Sequence, residues 1–293
     1  MTMMDLRRQI ERLGTDLTPE MIAGTQAIFA ARFPGVDPAT HIERDLRYGP
    51  DERNRLDIFR RDGTQRAPVL LFVHGGGFVM GDKQVAGTPF YDNIGAFAAA
   101  AGMVGVTMTY RLAPAHRWPS GPEDMAAAVA WLRANVAGHG GDPDRIFLMG
   151  QSAGASHVAS YIAHGPSHVV PGSGVAGAIM MSGIYDVAAA MPNQFQTAYY
   201  GEDRSRYADF SSTDGLLASA VPQMFTVSEF DGEEFQVQAA ALAAAHAQAH
   251  RRYPHLAYLA GHNHISPVLQ IGSEGDHLGP EIRDFIAAVS AQR

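Results

Sequence analysis

No cysteine occurs among the 293 residues. Disulfides, thiolate nucleophiles and cysteine-ligated metals are therefore excluded, and the fold must hold by packing alone. Basic residues are also scarce: 22 Lys and Arg stand against 30 Asp and Glu, a net charge of −8. Phosphate backbones select a basic surface, so a nucleic-acid partner is excluded. No apolar run approaches the roughly 20 residues of a membrane span, and no membrane partner is expected. The N-terminus, Met1-Thr-Met-Met-Asp-Leu-Arg-Arg-Gln-Ile10, carries charges where a secretory signal needs its apolar stretch, and the reading is a soluble cytoplasmic protein. What is present is an ordinary globular balance, 46% hydrophobic and 18% charged, enough for one large domain or two small ones.

From about residue 41 onward, strand-like and helix-like segments alternate. Residues 55–59 alternate apolar and polar side chains, as a half-exposed strand at a sheet edge should. Residues 68–73 are continuously apolar, the mark of a strand covered on both faces. Segments 103–108, 145–149, 175–180 and 223–227 share that character, and 255–259 is a weaker last strand. Helical patterns fill the intervals at 123–136, 153–163, 233–251 and 280–289. Strands separated by helices imply right-handed crossovers and a mostly parallel sheet with helices on both faces, an α/β fold. Functional residues in such a fold follow directly after the strands.

Two segments fall outside the alternation. Residues 1–40 read as two amphipathic helices, broken near Gly14 and at Pro34-Gly35, and 186–220 is irregular and rich in Tyr, Phe, Met and Asp. The expected organisation is an N-terminal helical cap segment, 1–40, on a catalytic domain, 41–293, with 186–220 as a second cap segment. Their apolar residues Ile22, Ile28, Phe29, Phe33, Met191, Phe195, Tyr199 and Tyr200 are expected to line an enclosed pocket.

The strand at 145–149 runs into Gly150-Gln-Ser-Ala-Gly154 and then a helix, the strand–turn–helix setting of a nucleophile elbow. The flanking glycines answer to crowding: the serine occupies a strained turn where a neighbouring Cβ would collide. A chance match is the bland alternative, and the apolar strand before it argues against that. The second constellation is His74-Gly-Gly-Gly77, directly after 68–73. Consecutive glycines let backbone N–H groups converge on one point, where they can hold the oxyanion of a tetrahedral intermediate. A phosphate-binding loop needs a different glycine spacing before a helix, and that spacing is missing.

His74-Gly-Gly-Gly-Phe-Val-Met-Gly81, Tyr110-Arg-Leu-Ala-Pro-Ala-His-Arg-Trp-Pro119, Gly140-Gly-Asp-Pro-Asp-Arg-Ile146 and the elbow, in this order and spacing, resemble the hormone-sensitive-lipase family of bacterial carboxylesterases. The resemblance runs from about residue 50 to the C-terminus. It implies the α/β-hydrolase fold, with a mostly parallel eight-stranded sheet and a small helical cap. It also implies an oxyanion hole made by the N–H groups of Gly76, Gly77 and Ala153. Members of that family often pair through the end of the sheet, so a homodimer is one of its expectations. The chain departs from the family at Gln151, where Asp is usual, and at Ala155, where a second Gly is usual; its N-terminal cap is also short.

The base of this fold is a histidine late in the chain, and 13 histidines compete. Gly261-His-Asn-His-Ile-Ser266 follows the last strand, and His264 matches the family's Gly-x-x-His, with His262 as its competitor. A metal pair from His262 and His264, or from His246 and His250 at i and i+4 of a helix, is the other reading. The Glu of a His-Glu-x-x-His site is absent, and no metal or cofactor is needed. The acid should lie in Ser228-Glu-Phe-Asp231, where the family pattern selects Asp231 and leaves Glu229 as its neighbour. Glu233 and Glu234 read as first-turn acids of the next helix, and Asp124 as a cap or tether of an earlier one. The chain order Ser152, Asp231, His264 is the one expected for the fold.

The expected function is a serine hydrolase cleaving short- to medium-chain carboxylic esters through an acyl-enzyme, its partner a small-molecule ester. An aryl formamidase is the alternative, since Glu234-Phe-Gln-Val-Gln238 and Asn263-His-Ile-Ser266 are similar to segments of microbial enzymes that cleave N-formylkynurenine. A non-catalytic binding protein on the same scaffold is the remote reading; it predicts a missing triad member, and none is missing.

Overall fold

The computed structural model describes residues 3–292 except 169 and 171. Its eight strands are β1 (Thr40–Arg47), β2 (Arg55–Arg61), β3 (Ala67–Val73), β4 (Val104–Met108), β5 (Gly141–Gln151), β6 (Gly177–Met181), β7 (Gln223–Phe230) and β8 (His255–Asn263). They form one sheet in the order β1-β2-β4-β3-β5-β6-β7-β8. Only β1 with β2 and β2 with β4 pair antiparallel; the remaining strands are parallel. The helices are α1 (Met3–Leu13), α2 (Pro19–Ala30), α3 (Asp92–Ala100), α4 (Ser120–Asn135), α5 (Ala153–Ala163), α6 (Gln194–Tyr200), α7 (Tyr207–Phe210), α8 (Thr213–Ala218), α9 (Glu233–His250), α10 (Ser266–Gln270) and α11 (Leu278–Ser290). This is the α/β-hydrolase fold.

Alternation along the strands divides the core in two. In β3, Val69, Leu71 and Val73 pack on one face with Val129, Leu132 and Val158, from α4 and α5. Leu70 and Phe72 pack on the other with Ile94, Ile282 and Phe285, from α3 and α11. A strand sandwiched this way gains from apolar side chains at every position, which is why its sequence reads as an unbroken apolar run.

The expected edge position of 55–59 is corrected by the structure. The edge belongs to β1, and β2 is an interior strand with Leu56, Asp57, Ile58 and Phe59 all fully buried. The polar residue in its alternation, Asp57, faces ions rather than water: Arg44 lies 2.7 Å away and Lys83 3.0 Å. A buried carboxylate with two cationic partners mimics the polar side of an exposed strand. Strand β1 (Thr-His-Ile-Glu-Arg-Asp-Leu-Arg) has no apolar run, because an edge strand is solvated, and a bulge between Glu43 and Leu46 interrupts its register.

Helix α1 packs along β8 and α2 against α10. Leu6, Ile10 and Phe29 enter the second core cluster. The 186–220 stretch folds as α6 to α8 and builds a third, aromatic cluster in which Tyr199, Tyr200, Tyr207 and Phe210 pack with Phe78 and Ala153. Among the described residues, no helix is long and apolar enough to cross a membrane.

Candidate active site

Strand register gathers the site. Val73 is the partner of Gly150, so the loop leaving β3 at His74 lies beside Gln151 and Ser152 as they leave β5. Two strands beyond β5, Phe230 at the end of β7 is the partner of Asn263 at the end of β8. The next residue on each is Asp231 and His264. Parallel strands thus deliver all these groups to one end of the sheet.

Ser152 has φ 56° and ψ −121°, a conformation that side chains rarely adopt. The turn closes only because its neighbours lack side chains: a Cβ on Gly154 would lie 2.1 Å from the carbonyl oxygen of Val73. Beside it, Gly76 has φ +121°, and its carbonyl accepts the N–H groups of Val79 at 3.2 Å and Met80 at 3.1 Å. Tyr110 Oη donates to His74 O at 3.0 Å, and the two rings stack at 4.3 Å. His74 Nδ1 lies 2.6 Å from Gly75 O, and burial pushes this histidine down to about 4. Neutral at ordinary pH, it braces the glycine loop from within. Arg53 ties in the outside by donating to Tyr110 O at 2.7 Å and Gly81 O at 2.9 Å.

His264 Nδ1 lies 2.6 Å from Asp231 Oδ1. The second carboxylate oxygen, Oδ2, accepts the Ser182 hydroxyl at 2.7 Å and the Ser228 N–H at 2.6 Å. His264 and Asp231 are each 2% exposed. His264 Nε2 is buried and has no hydrogen-bond partner among the described residues. That nitrogen is the one a general base must keep free. The elbow reaches the same turn through Gln151, whose Nε2 donates to His264 O at 3.1 Å.

The competing groups are engaged elsewhere. His262 Nδ1 lies 2.8 Å from Ser266 Oγ, its ring is 5.1 Å from His277, and burial pushes it down to about 3. Glu229 accepts Arg7 at 2.6 Å and the Gly261 N–H at 2.7 Å, and the Arg7 hydrogen bond holds its carboxyl below the usual range. Asp124 accepts the N–H of Arg111 at 2.7 Å and its Nε at 2.8 Å, tethering the Tyr110–Arg111 turn to α4. His246 and His250 lie with ring centroids 4.5 Å apart, and His246 Nδ1 sits 3.0 Å from Arg252 O.

Several supporting residues escaped the sequence. Asn263 Oδ1 accepts the Ser266 N–H at 3.0 Å while Ser266 Oγ accepts the Asn263 N–H at 3.0 Å, a reciprocal pair across the turn that enters α10, with His264 inside it. Asn263 Nδ2 then donates to Thr25 Oγ1 on α2 at 2.8 Å. The Asn-x-x-Ser spacing was the available signal, and Thr25 had none. The expected pocket lining is also revised. Phe29 is core, and Tyr199 stacks on Phe78 at 4.6 Å with its hydroxyl accepting the Gly121 N–H at 3.0 Å. Phe195 and Met191 remain exposed, and a Cβ on Gly77 would lie 3.0 Å from the Phe195 ring.

An eight-stranded sheet with a strained serine elbow, a glycine loop and an Asp–His pair at one end defines the α/β-hydrolase class. Residues 70–289 match the alpha/beta hydrolase fold family, and the chain belongs to it. Among proteins of Mycobacterium tuberculosis, the chain is 34% identical over 199 residues to esterase LipQ, which is 63% of this chain and 45% of that one. It is 41% identical over 153 residues to carboxylesterase NlhH, 51% of this chain and 41% of that one. It is 40% identical over 129 residues to esterase LipC, 43% of this chain and 31% of that one. The matches thus span less than half the length of these relatives. The fold is similar to that of esterase B from Lactobacillus rhamnosis, with TM-score 0.77, 18% identity, and 99% of this chain and 97% of that one covered. An esterase of the bacterial hormone-sensitive lipase family gives TM-score 0.70 at 21% identity, covering 99% and 97%.

Proposed function

We propose that the chain is a serine carboxylesterase for short- to medium-chain esters, with Ser152 as nucleophile, His264 as base and Asp231 as the acid that orients it. The observation that carries the reading is the Asp231–His264 pair, 2.6 Å apart and buried, in a turn that the serine elbow reaches through Gln151. In this mechanism Nε2 takes the Ser152 proton as Oγ attacks the acyl carbon. The N–H groups of Gly76, Gly77 and Ala153 receive the oxyanion. The imidazolium returns the proton to the leaving alkoxide, and water, activated by the same nitrogen, releases the acid and restores Ser152. The family assignment and the relatives named esterases support ester cleavage.

Aryl formamidase stays the alternative reading, and relatives named esterases favour ester cleavage over it. Three residues of the segments that suggested it have structural bonds here: Asn263 and Ser266 bond reciprocally across the turn entering α10, and Gln238 Oε1 accepts the N–H groups of Tyr185 at 3.0 Å and Asp186 at 2.9 Å. These roles are indifferent to the acyl group. The gain per buried methylene, about 0.8 kcal/mol, is taken to stop at roughly two to eight acyl carbons. The test is kcat/KM across an acyl-chain series of p-nitrophenyl esters and N-formylkynurenine, with mass-spectrometric location of a phosphonate adduct. The expected adduct is on Ser152. Labelling elsewhere, or N-formylkynurenine roughly a hundredfold above every ester, a difference of about 2.7 kcal/mol, would overturn the assignment.

A further inference from the structure

Resting on the proposed triad, one side chain outside it bears on the chemistry. The Phe235 ring lies against His264, with centroids 4.0 Å apart and planes inclined by 32°. We propose that Phe235 is a positioning residue for the base: it holds the plane of the imidazole and stabilises the imidazolium formed when Ser152 gives up its proton.

The Asp231 hydrogen bond restrains the imidazole at one atom, Nδ1. A ring held at a single point can still rock about it. A contact across its face removes that freedom, and an aromatic face also attracts the cation electrostatically. The platform must itself be rigid, and the start of α9 is anchored at three further points. Gln236 Nε2 donates to Asp231 O at 3.0 Å and Glu229 O at 3.2 Å. Glu234 Oε2 accepts the Met191 N–H at 2.5 Å, and Gln238 Nε2 donates to Asp186 O at 2.9 Å. One and a half turns of helix thus join the acid loop, the base and the 186–193 stretch.

The charged groups around the imidazole leave Phe235 a distinct role. Asp231 is the carboxylate bonded to the ring. On the strand ends, Glu229 is bonded to Arg7 and His262 is turned to Ser266. On α9, Glu234 is bonded to Met191 and Gln238, and Glu233 is exposed.

The sign of the effect follows. Leucine at 235 keeps an apolar cover and removes the aromatic face. The imidazolium loses stabilisation, so the transition state rises and the acid limb of the pH profile moves toward lower pH.

The experiment compares Phe235→Leu and Phe235→Tyr in the full chain, using p-nitrophenyl butyrate across pH, with phosphonate labelling of Ser152 in parallel. The leucine variant is expected to lose about 3- to 10-fold in kcat, with KM within about twofold and the acid limb moved by about half a pH unit. The tyrosine variant keeps the face and should stay within about twofold of the parent. Equal losses in both variants, a change confined to KM, or an unmoved limb would overturn the proposal. If the leucine variant does not fold, Phe235→Met carries the same comparison. Failure of the parent protein to label at Ser152 refutes the triad reading itself; normal labelling with parent-like kinetics in Phe235→Leu refutes this inference alone.

Discussion

Replacing Asp231 by Asn tests the proposed triad most sharply, because the structure dictates how the amide must sit. Asp231 Oδ2 accepts two donors, and one of them, the Ser228 backbone N–H at 2.6 Å, cannot reverse its role. The amide oxygen must therefore take the Oδ2 position, which sets the NH2 group 2.6 Å from His264 Nδ1. Facing a donor, Nδ1 can only be an acceptor, so the proton moves to Nε2. That tautomer cannot take the Ser152 proton. The opposite amide orientation sets NH2 against the Ser228 N–H in a buried site, a loss of hydrogen bonding costing about 1–3 kcal/mol. The wrong tautomer lowers kcat by roughly ten-thousand-fold in the best-studied triad, about 5.4 kcal/mol at about 1.36 kcal/mol per tenfold. The assay is kcat for p-nitrophenyl butyrate on a variant whose thermal unfolding shows an intact fold. A folded variant within about tenfold of the parent would refute Asp231 as the orienting acid.

Glu229→Gln should be mild, because the Arg7–Glu229 pair is partly exposed and its amide still offers an acceptor to Gly261; stability should change by no more than about 1 kcal/mol. A larger kcat loss there than in Asp231→Asn would reassign the acid. Thr25→Val strips the acceptor from buried Asn263 and should cost about 1–3 kcal/mol, read as a fall in melting temperature of about 2–4 °C per kcal/mol. An unchanged melting temperature would deny that α2 braces the turn carrying His264. Burial holds His74 at about 4 and His157 and His262 at about 3, against 6.5 for a free histidine. The unfolded chain takes up those protons first, so this stability is complete above about pH 6.5 and is lost as the pH falls toward 4. Melting temperatures constant from about pH 7 to about pH 5 would contradict it.

Local chemistry was legible in the chain itself. Crowding at a strained serine leaves its mark as glycines two residues either side, and a doubly covered strand as an apolar run. Both are short-range demands, and the sequence alone located Ser152, the His74 loop and most of the sheet. Choosing Asp231 over Glu229 and His264 over His262 needed the family's spacing, because each pair is nearly equivalent in sequence. Tertiary structure separates them physically: Glu229 turns to Arg7 and His262 to Ser266, while Asp231 and His264 meet. The interior place of β2 was hidden because partners far along the chain neutralise Asp57. Ser182, Gln151 and Phe235 were hidden for the same reason. Their roles are made by contacts between strand and helix ends that lie apart in sequence, and only the register of β5 to β8 brings those ends together.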